Sequence, residues 1–246
     1  TTKYYVMSGH SHWAGIKHKK GLNDAKKGKV FTKHAKMITI MARDGGGDPV
    51  MNFQLRLAID RARLDNMPRE NIERAIKKGT GEIKEGGEIV EITYEGMGPG
   101  NVMMLVKTAT DNRNRTVSEV KSIFTKAGGK LGEMGSVMWN FKKMGAISIA
   151  VPEGADPYAL EEKAIDAGAE DTVYADNTLL VYTAPENLKS AQESLEKSGV
   201  KIENAEITYV PSQKVSLTAD QQLDYEKLLE TLDDQDDVQE IFDNLE

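Results

Sequence analysis

The sequence predicts an α+β protein, with an N-terminal three-helix domain followed by two α/β domains, of which the last is an inserted, ferredoxin-like βαββαβ domain. Three observations predict this class. Apolar residues recur at helical spacing in the first 80 residues, and the pattern changes to strand-like alternation near residue 88. Residues 145–210 then follow the order strand, helix, strand, strand, helix, strand. The predicted domains are residues 7–81, residues 86–142 plus 211–246, and residues 143–210.

Three helices are predicted in the N-terminal domain. The first covers residues 24–43, where apolar side chains share one face and basic side chains the opposite face. The second runs from Pro49 to Leu64, with Asp48 suited to be its N-cap. The third lies between Pro68, which suits a first helical position, and Gly79, which suits a helix end.

The middle of the chain alternates as strands do. Residues 88–95 and 102–108 form two predicted strands that are joined by a glycine-rich hairpin turn. A helix follows at Val117–Ala127, for which Thr116 and Glu119 fit a capping box.

After the ferredoxin-like segment, the sequence predicts one more short strand, Lys214–Leu217, and helices at Ala219–Leu232 and Val238–Leu245. A lone terminal strand needs a hydrogen-bonding partner. We therefore expect it to return to the first sheet, which makes the middle domain discontinuous.

The composition excludes several classes of protein. There is no cysteine, which removes disulfide scaffolds, thiol nucleophiles and cysteine-based metal sites. No apolar run approaches the about 18 residues of a membrane span, and the start has no secretory segment, so we expect a cytoplasmic protein without membrane contact. No nucleophile elbow or acid–base constellation is recognisable, so we expect no enzymatic activity.

Cofactor and metal sites are not predicted. The glycines at 96–100 join two strands and those at 45–47 join two helices, so neither run precedes a helix that would receive a phosphate. The histidines lack the spacing of a zinc site and are interpreted as switchable positive charge. They are His10, His12, His18 and His34. We therefore expect no cofactor, no metal and no small-molecule substrate.

The charge is divided unevenly along the chain. The formal net charge is −7, but residues 1–85 carry +9 and residues 86–246 carry −16. Residues 7–43 contain nine basic residues and one acid, whereas residues 220–246 contain eleven acids and one lysine. Because neutralising phosphates releases counterions, the basic part predicts contact with nucleic acid. The acidic remainder should repel a polyanion, so we expect the molecule to approach one with its basic end only.

The candidate binding residues form an N-terminal arm, a basic stripe on the first helix and a turn. In the arm, Trp13 can stack on a base while lysines contact phosphates. In the turn, Arg113 and Arg115 lie at a helix N-terminus, where the dipole disfavours cations. They either hold an anion such as phosphate or pair with carboxylates of a neighbouring domain. The predicted nucleic-acid-binding residues are Trp13, Lys17, Lys19, Lys20, Lys26, Lys27, Lys29, Lys33, Lys36, Arg43, Arg113 and Arg115.

Eight motifs, in this order, resemble the YebC/PmpR family. They are Gly9–Lys17, Asp24–Lys33, Gly45–Pro49, Asp65–Pro68, Ile76–Gly79, Tyr94–Gly100, Thr110–Thr116 and Gly128–Val137. The resemblance extends from Met7 to the C-terminus, and residues 1–6 precede the family's usual start, so we expect Met7 to be the native initiator. His12 stands where the family often has lysine, which weakens one expected phosphate contact at neutral pH.

The resemblance implies a three-domain, cleft-shaped, cytoplasmic protein that binds nucleic acid. Members are classed as DNA-binding transcriptional regulators. The mitochondrial relative is a translational activator, and bacterial relatives have been linked to ribosomes stalled on proline-rich sequences. The implied partner is therefore DNA, or ribosomal RNA within the ribosome. No base-reading helix-turn-helix is recognisable, and the sequence leaves this choice open. We expect a monomer that regulates gene expression without catalysis.

Overall fold

The structure is a computed structural model that describes residues 24–84, 86–152 and 154–246. No helix in these ranges is long and apolar enough to cross a membrane. In chain order the elements are α1 (Asp24–Gly45), α2 (Phe53–Leu64), α3 (Arg69–Gly79), β1 (Val90–Met97), β2 (Met103–Thr110), α4 (Arg113–Lys126), β3 (Lys130–Leu131), β4 (Phe141–Ala150), α5 (Pro157–Asp166), β5 (Asp171–Ala175), β6 (Thr178–Thr183), α6 (Leu188–Lys197), β7 (Ile202–Pro211), α7 (Ala219–Asp233) and β8 (Val238–Asp243).

The helices α1, α2 and α3 pack around one small apolar core. Ile38 and Ala42 of α1 meet Leu55 and Ile59 of α2, and Ile72 of α3 completes the cluster. These side chains recur at three- and four-residue spacing, so each helix contributes one apolar stripe. The three helices form the helical part of the molecule.

The second helix begins later than the sequence predicts. α2 starts at Phe53 and not at Pro49. Its N-cap is Asn52 rather than Asp48, because Asn52 Oδ1 accepts the backbone N–H of Leu55 at 3.0 Å. The amide group of Asn52 also donates to two backbone carbonyls at the end of α1, so this one side chain joins both helices.

The first sheet has the strand order β3-β1-β2-β8, with antiparallel neighbours throughout. Both α4 and α7 cover the same face, and Phe124 of α4 and Tyr225 of α7 lie in the core beneath them. β8 pairs with β2 although the whole second sheet lies between β3 and β8 in the chain.

The C-terminal segment is a strand where the sequence predicts a helix. The prediction of a helix at Val238–Leu245 is wrong, since this segment supplies β8. Helical and strand spacing are hard to separate in so short an apolar run, and pairing with β2 satisfies its backbone hydrogen bonds. The predicted strand at Lys214–Leu217 is reduced to one parallel bridge between Val215 and Leu245.

The second sheet has the strand order β5-β6-β4-β7, again with antiparallel neighbours. The core beside it includes Ala164 of α5, Ile147 of β4, Leu179 of β6 and Leu188 of α6. With two helices and this strand order, the segment from β4 to β7 is ferredoxin-like. The predicted α+β class, with N-terminal helices followed by two antiparallel sheets, is confirmed.

Apolar contacts join the helical part to both sheets. Ile40 of α1 packs with Ile89 and with Ala109 of β2. Phe53 and Leu57 of α2 pack against the core of the second sheet. The helical part therefore touches both sheets through different helices.

A charged junction lies where the helical part and both sheets meet. Arg61 of α2 forms ion pairs with Glu206 of β7, at 3.1 Å, and with Glu240 of β8. Lys107 of β2 lies 3.5 Å from Glu240 and 3.2 Å from Glu91. Burial alone would lower the pKa of Arg61 and of Lys107, but the carboxylates outweigh burial and raise both. Arg61 and Lys107 therefore stay charged, and their ion pairs join the helical part to strands of both sheets.

Glu95 of β1 anchors the loop between β3 and β4. Its buried carboxylate accepts the backbone N–H groups of Gly135 at 2.6 Å, of Val137 at 2.8 Å and of Met138 at 2.8 Å. Burial alone would raise the pKa of Glu95, but these three donors outweigh it and lower the pKa below the ordinary value. One side chain thus fixes the backbone of a loop that has little regular structure.

The substitution Glu95→Gln should lower the free energy of unfolding by about 2 kcal/mol, because an amide presents an NH₂ group where the carboxylate accepts backbone hydrogen bonds. Urea unfolding near neutral pH measures this loss, and Glu133→Gln, at an exposed position of the same loop, is the matched control. A carboxylate with a lowered pKa stabilises the fold above its ordinary pKa. The difference in the free energy of unfolding between Glu95→Gln and the wild type should therefore shrink as the pH falls below about 4.3. Equal urea midpoints near neutral pH would contradict the anchoring role.

Candidate nucleic-acid interface

Part of the predicted interface lies outside the described residues. This applies to Trp13, Lys17, Lys19, Lys20 and the side chain of Lys26, and to His10, His12 and His18. Lys27 is exposed near the start of α1. The geometry of the interface can therefore be followed from Lys27 onward.

The basic stripe of α1 lies against an acidic turn, which we define as residues 233–237 between α7 and β8. Lys29 Nζ donates to the carbonyl oxygen of Asp234 at 2.9 Å. Lys33 Nζ donates to the carbonyl oxygen of Asp233 at 2.6 Å and lies 3.3 Å from its carboxylate. The turn thus offers both main-chain and side-chain oxygen atoms to the helix.

Asp237 is the centre of this contact. Its carboxylate accepts hydrogen bonds from Lys36 Nζ at 2.7 Å, from Arg115 at 2.9 Å and from the hydroxyl of Thr116 at 2.7 Å. The side chain is only 2% exposed. Burial alone would raise the pKa of Asp237, but the three donors outweigh it and hold the pKa far below the ordinary value. Asp237 therefore stays ionised and links α1 to α4.

The predicted stripe is consequently divided into two parts. Lys33 is buried and the side chain of Lys36 is only 18% exposed, whereas the side chain of Lys29 is 49% exposed. The expected continuous face for a polyanion is therefore interrupted at Lys33 and Lys36. Helical periodicity places these lysines on one face, but it carries no information about a covering segment 200 residues away in the chain.

The two remaining predicted arginines have different surroundings. Arg43 donates to the carboxylate of Asp44 at 2.8 Å and to the carbonyl oxygen of Ile89 at 2.6 Å, and it lies 3.3 Å from Glu88. It therefore connects the end of α1 to the start of the first sheet. Arg113 is exposed to solvent.

The start of α4 differs from the prediction. The helix begins at Arg113, and Asn112 Oδ1 caps it by accepting the N–H of Arg115 at 3.1 Å. The predicted capping box of Thr116 and Glu119 is wrong, because the hydroxyl of Thr116 is buried against the acidic turn. Of the two alternatives for this arginine pair, Arg115 adopts the second and pairs with a carboxylate of another segment.

The one described histidine takes part in a local contact. His34 Nε2 lies 2.6 Å from Asp65 Oδ2, which joins α1 to the segment after α2. Within the described ranges, no group of three or more His, Cys, Asp or Glu side chains is arranged to hold a metal ion.

Local sequence patterns do not identify the acidic turn as the partner of the basic stripe. The only sequence signal for the turn is its composition, since four of its five residues are aspartate. The acidic residues can be counted in the sequence, but the sequence does not show that they pack against α1.

Comparison with known proteins assigns the family. The family model described as the TACO1/YebC protein N-terminal domain matches residues 11–82, and that of the TACO1/YebC second and third domain matches residues 89–245. The chain belongs to the TACO1/YebC family. The crystal structure of a conserved hypothetical protein from Aquifex aeolicus resembles this TACO1/YebC chain with a TM-score of 0.85 and 46% identity, covering 96% of this chain and 97% of that chain.

TACO1/YebC relatives from bacteria carry a functional name. A protein of Trichlorobacter lovleyi is 51% identical over 240 residues, 98% of this chain and 96% of its own length. A protein of Halothermothrix orenii is 47% identical over 245 residues, 98% of this chain and 95% of its own length. Each is named "Probable transcriptional regulatory protein", which describes a regulator rather than an enzyme.

The substitution Asp237→Asn should lower the free energy of unfolding by about 3 kcal/mol. Lys36 and Arg115 would lose the buried carboxylate to which they donate. Urea unfolding measures the loss. Asp234→Asn is the matched control, since Asp234 is exposed and contributes its carbonyl oxygen rather than its carboxylate to Lys29. The pKa of Asp237 is lowered, so its stabilisation is fully present above the ordinary pKa of aspartate. It should begin to shrink as the pH falls below about 3.9 and should be lost only at the much lower pKa of the folded protein. Unfolding curves of the two variants that coincide would refute this role.

Proposed function

We propose that the protein is a non-enzymatic, nucleic-acid-binding regulator of gene expression that acts on DNA, in line with the names of its relatives. The observation that carries this proposal is the concentration of cations in residues 7–43, where nine basic residues accompany one acid. A segment with so few acids of its own has the composition of a phosphate-binding segment, and those of its cations that the acidic turn leaves exposed supply the positive charge.

The contacts of α1 support different roles for its cations. Lys33 and Lys36 are held by the acidic turn and fasten the helix to the first sheet. Lys27 and Lys29 keep exposed side-chain surface, and the arm with Lys17 precedes them in the chain. In the proposed complex, Lys27 and the arm contact phosphates, while Lys33 and Lys36 hold the helix in place. Lys29 also donates to the acidic turn and presents only its exposed half to the ligand.

The coverage of α1 also favours contact with the phosphate backbone over reading of bases. A recognition helix places a free face in the major groove. The face of α1 that carries Lys33 and Lys36 lies against the acidic turn and is not free in this sense. Phosphate contacts supply affinity and salt dependence but little sequence preference.

The target is tested by comparing three probes at one salt concentration: a promoter duplex, a scrambled duplex of equal length and purified ribosomes. The proposal expects both duplexes to bind more tightly than ribosomes, with at most a small preference for the promoter duplex, because phosphate contacts carry little sequence information. Equal affinities for both duplexes together with tighter binding to ribosomes would overturn the DNA assignment in favour of ribosomal RNA. Absence of binding to all three would overturn nucleic-acid binding altogether.

Replacing Lys17, Lys19 and Lys20 together by alanine should weaken duplex binding and reduce the slope of log affinity against log salt by about 2 to 3, because about 0.9 counterions are released per phosphate contact. Fluorescence anisotropy at several salt concentrations measures the slope. The matched control replaces the exposed Lys189, Lys197 and Lys201 by alanine, which removes the same charge from the second-sheet side. If both triple variants change the slope equally, net charge rather than this arm governs binding.

A further inference from the structure

A second basic segment lies within the acidic part of the chain. Residues 86–246 carry a net charge of −16, yet residues 113–143 contain seven basic residues and two acids. Residues 113–143 make up about a fifth of residues 86–246, yet they hold half of the fourteen basic residues in that range. This concentration lies outside the arm and the α1 stripe on which the proposed function depends.

Within this segment, the loop from Gly132 to Trp139 exposes large apolar side chains. Met134 is 97% exposed and Trp139 is 59% exposed, and Met97 on the adjoining end of β1 is 38% exposed. Two large apolar side chains exposed within one short loop are a common feature of binding surfaces. Burying them in a complex would therefore be favourable.

The loop is fixed in position although its surface is exposed. The carboxylate of Glu95 holds three of its backbone N–H groups, as described above. The indole Nε1–H of Trp139 donates to the carbonyl oxygen of Ser136 at 3.1 Å, so the polar edge of the ring is already satisfied. This geometry presents the apolar ring at little entropic cost on binding.

Lysines surround this edge of the first sheet. Lys130 of β3 pairs in register with Met97 and immediately precedes the loop. Lys126 ends α4, which packs against β3, and Lys121 lies earlier on the same helix. All three lysine side chains are exposed. The acidic helix α7 packs against β8 and also contacts α4 and the turn after β1.

We propose that the loop Gly132–Trp139 is a second nucleic-acid contact, in which Trp139 stacks on an unpaired base while Lys130, at the start of the loop, contacts the adjoining phosphate. The inference rests on the proposed function, which it extends to single-stranded or unpaired segments. An aromatic ring beside lysines is the combination that holds single strands. In an intact duplex, neighbouring bases already cover each other's faces, so a ring fixed on a loop has no free face to stack on.

Arg113 and Arg115 belong to a different place on the surface. They begin α4, whereas Lys126 ends it, and the helix of fourteen residues separates them by about 20 Å. Arg115 is already committed to the acidic turn. The predicted pair and the loop are therefore separate features, and the proposed contact does not include the pair.

The test uses the full chain and a fluorescein-labelled oligouridine of about 16 nucleotides, the upper end of common single-strand site sizes. Trp139→Ala should weaken binding of the oligouridine about tenfold, in the range for losing one aromatic–base stack. Tyr158→Ala removes another exposed aromatic side chain, on the second-sheet side, and should leave the affinity unchanged. Trp139→Phe keeps an aromatic ring and should therefore lose less affinity for the oligouridine than Trp139→Ala does. Thermal unfolding verifies that all three variants are folded.

A second readout reports on the ring itself. The chain has two tryptophans, so protein labelled with 5-fluorotryptophan gives two fluorine resonances, and Trp139→Phe identifies the one from Trp139. Adding oligouridine should shift or broaden that resonance. An unmoved resonance, with wild-type affinity in Trp139→Ala, would overturn this inference while leaving the proposed function intact.

Two further outcomes separate the alternatives. If the wild-type chain binds neither oligouridine nor duplex nor ribosomes, the proposed function fails and this inference fails with it. If sedimentation shows a dimer that Trp139→Ala dissociates, the loop joins two copies of the chain, and the nucleic-acid assignment of the loop is overturned.

Discussion

The ion pairs between α1 and the acidic turn hold the molecule in the arrangement on which the other contacts depend. A buried carboxylate is costly unless it is ionised beside cations and hydrogen-bond donors. Asp237 meets this condition with Lys36 from the helical part and Arg115 from α4. Its own carbonyl oxygen accepts the N–H of Ala109 at 2.8 Å, so the turn is also hydrogen-bonded to β2. With α1 fixed there, α2 reaches the second sheet, and Arg61 bridges both sheets.

This arrangement means that the cations of the N-terminal region serve two purposes. Those on the acidic turn hold the parts of the protein together, and those that stay exposed are available to a polyanion. The two groups respond differently to salt, because buried ion pairs are screened much less than exposed ones. Salt that releases a bound polyanion should therefore leave the internal contact in place. The segmental charge of +9 consequently overstates the positive charge that a ligand encounters.

Much of the fold follows from local sequence patterns. The ferredoxin-like segment is predictable because its strands and helices are short, strongly periodic and separated by clear turns, and the element order predicted for residues 145–210 is the observed one. Helix starts are less predictable when several capping residues compete. Asn52 caps α2 although Asp48 precedes a proline, and Asn112 caps α4 although Thr116 fits a capping box. The helix predicted at residues 238–245 is a strand because its partner, β2, is distant in sequence.

The candidate site is predictable in its composition but not in its contacts. Lysines at helical spacing identify a basic face, yet the burial of Lys33 depends on a turn at the other end of the chain. The exposed loop containing Trp139 has no periodic pattern, and its fixed shape depends on Glu95, whose role becomes visible only when β1 and the loop are adjacent.

The most direct test measures how the affinity of the wild-type chain for duplex depends on salt. The claim under test is that exposed cations hold the polyanion, while other cations stay bound to the acidic turn. We expect log affinity to fall linearly with log salt concentration with a slope of about −5, corresponding to five or six phosphate contacts. The circular dichroism spectrum and the urea midpoint should stay constant over the same salt range. A slope near zero would contradict the account, as would a fold that comes apart at the salt concentration that releases the duplex.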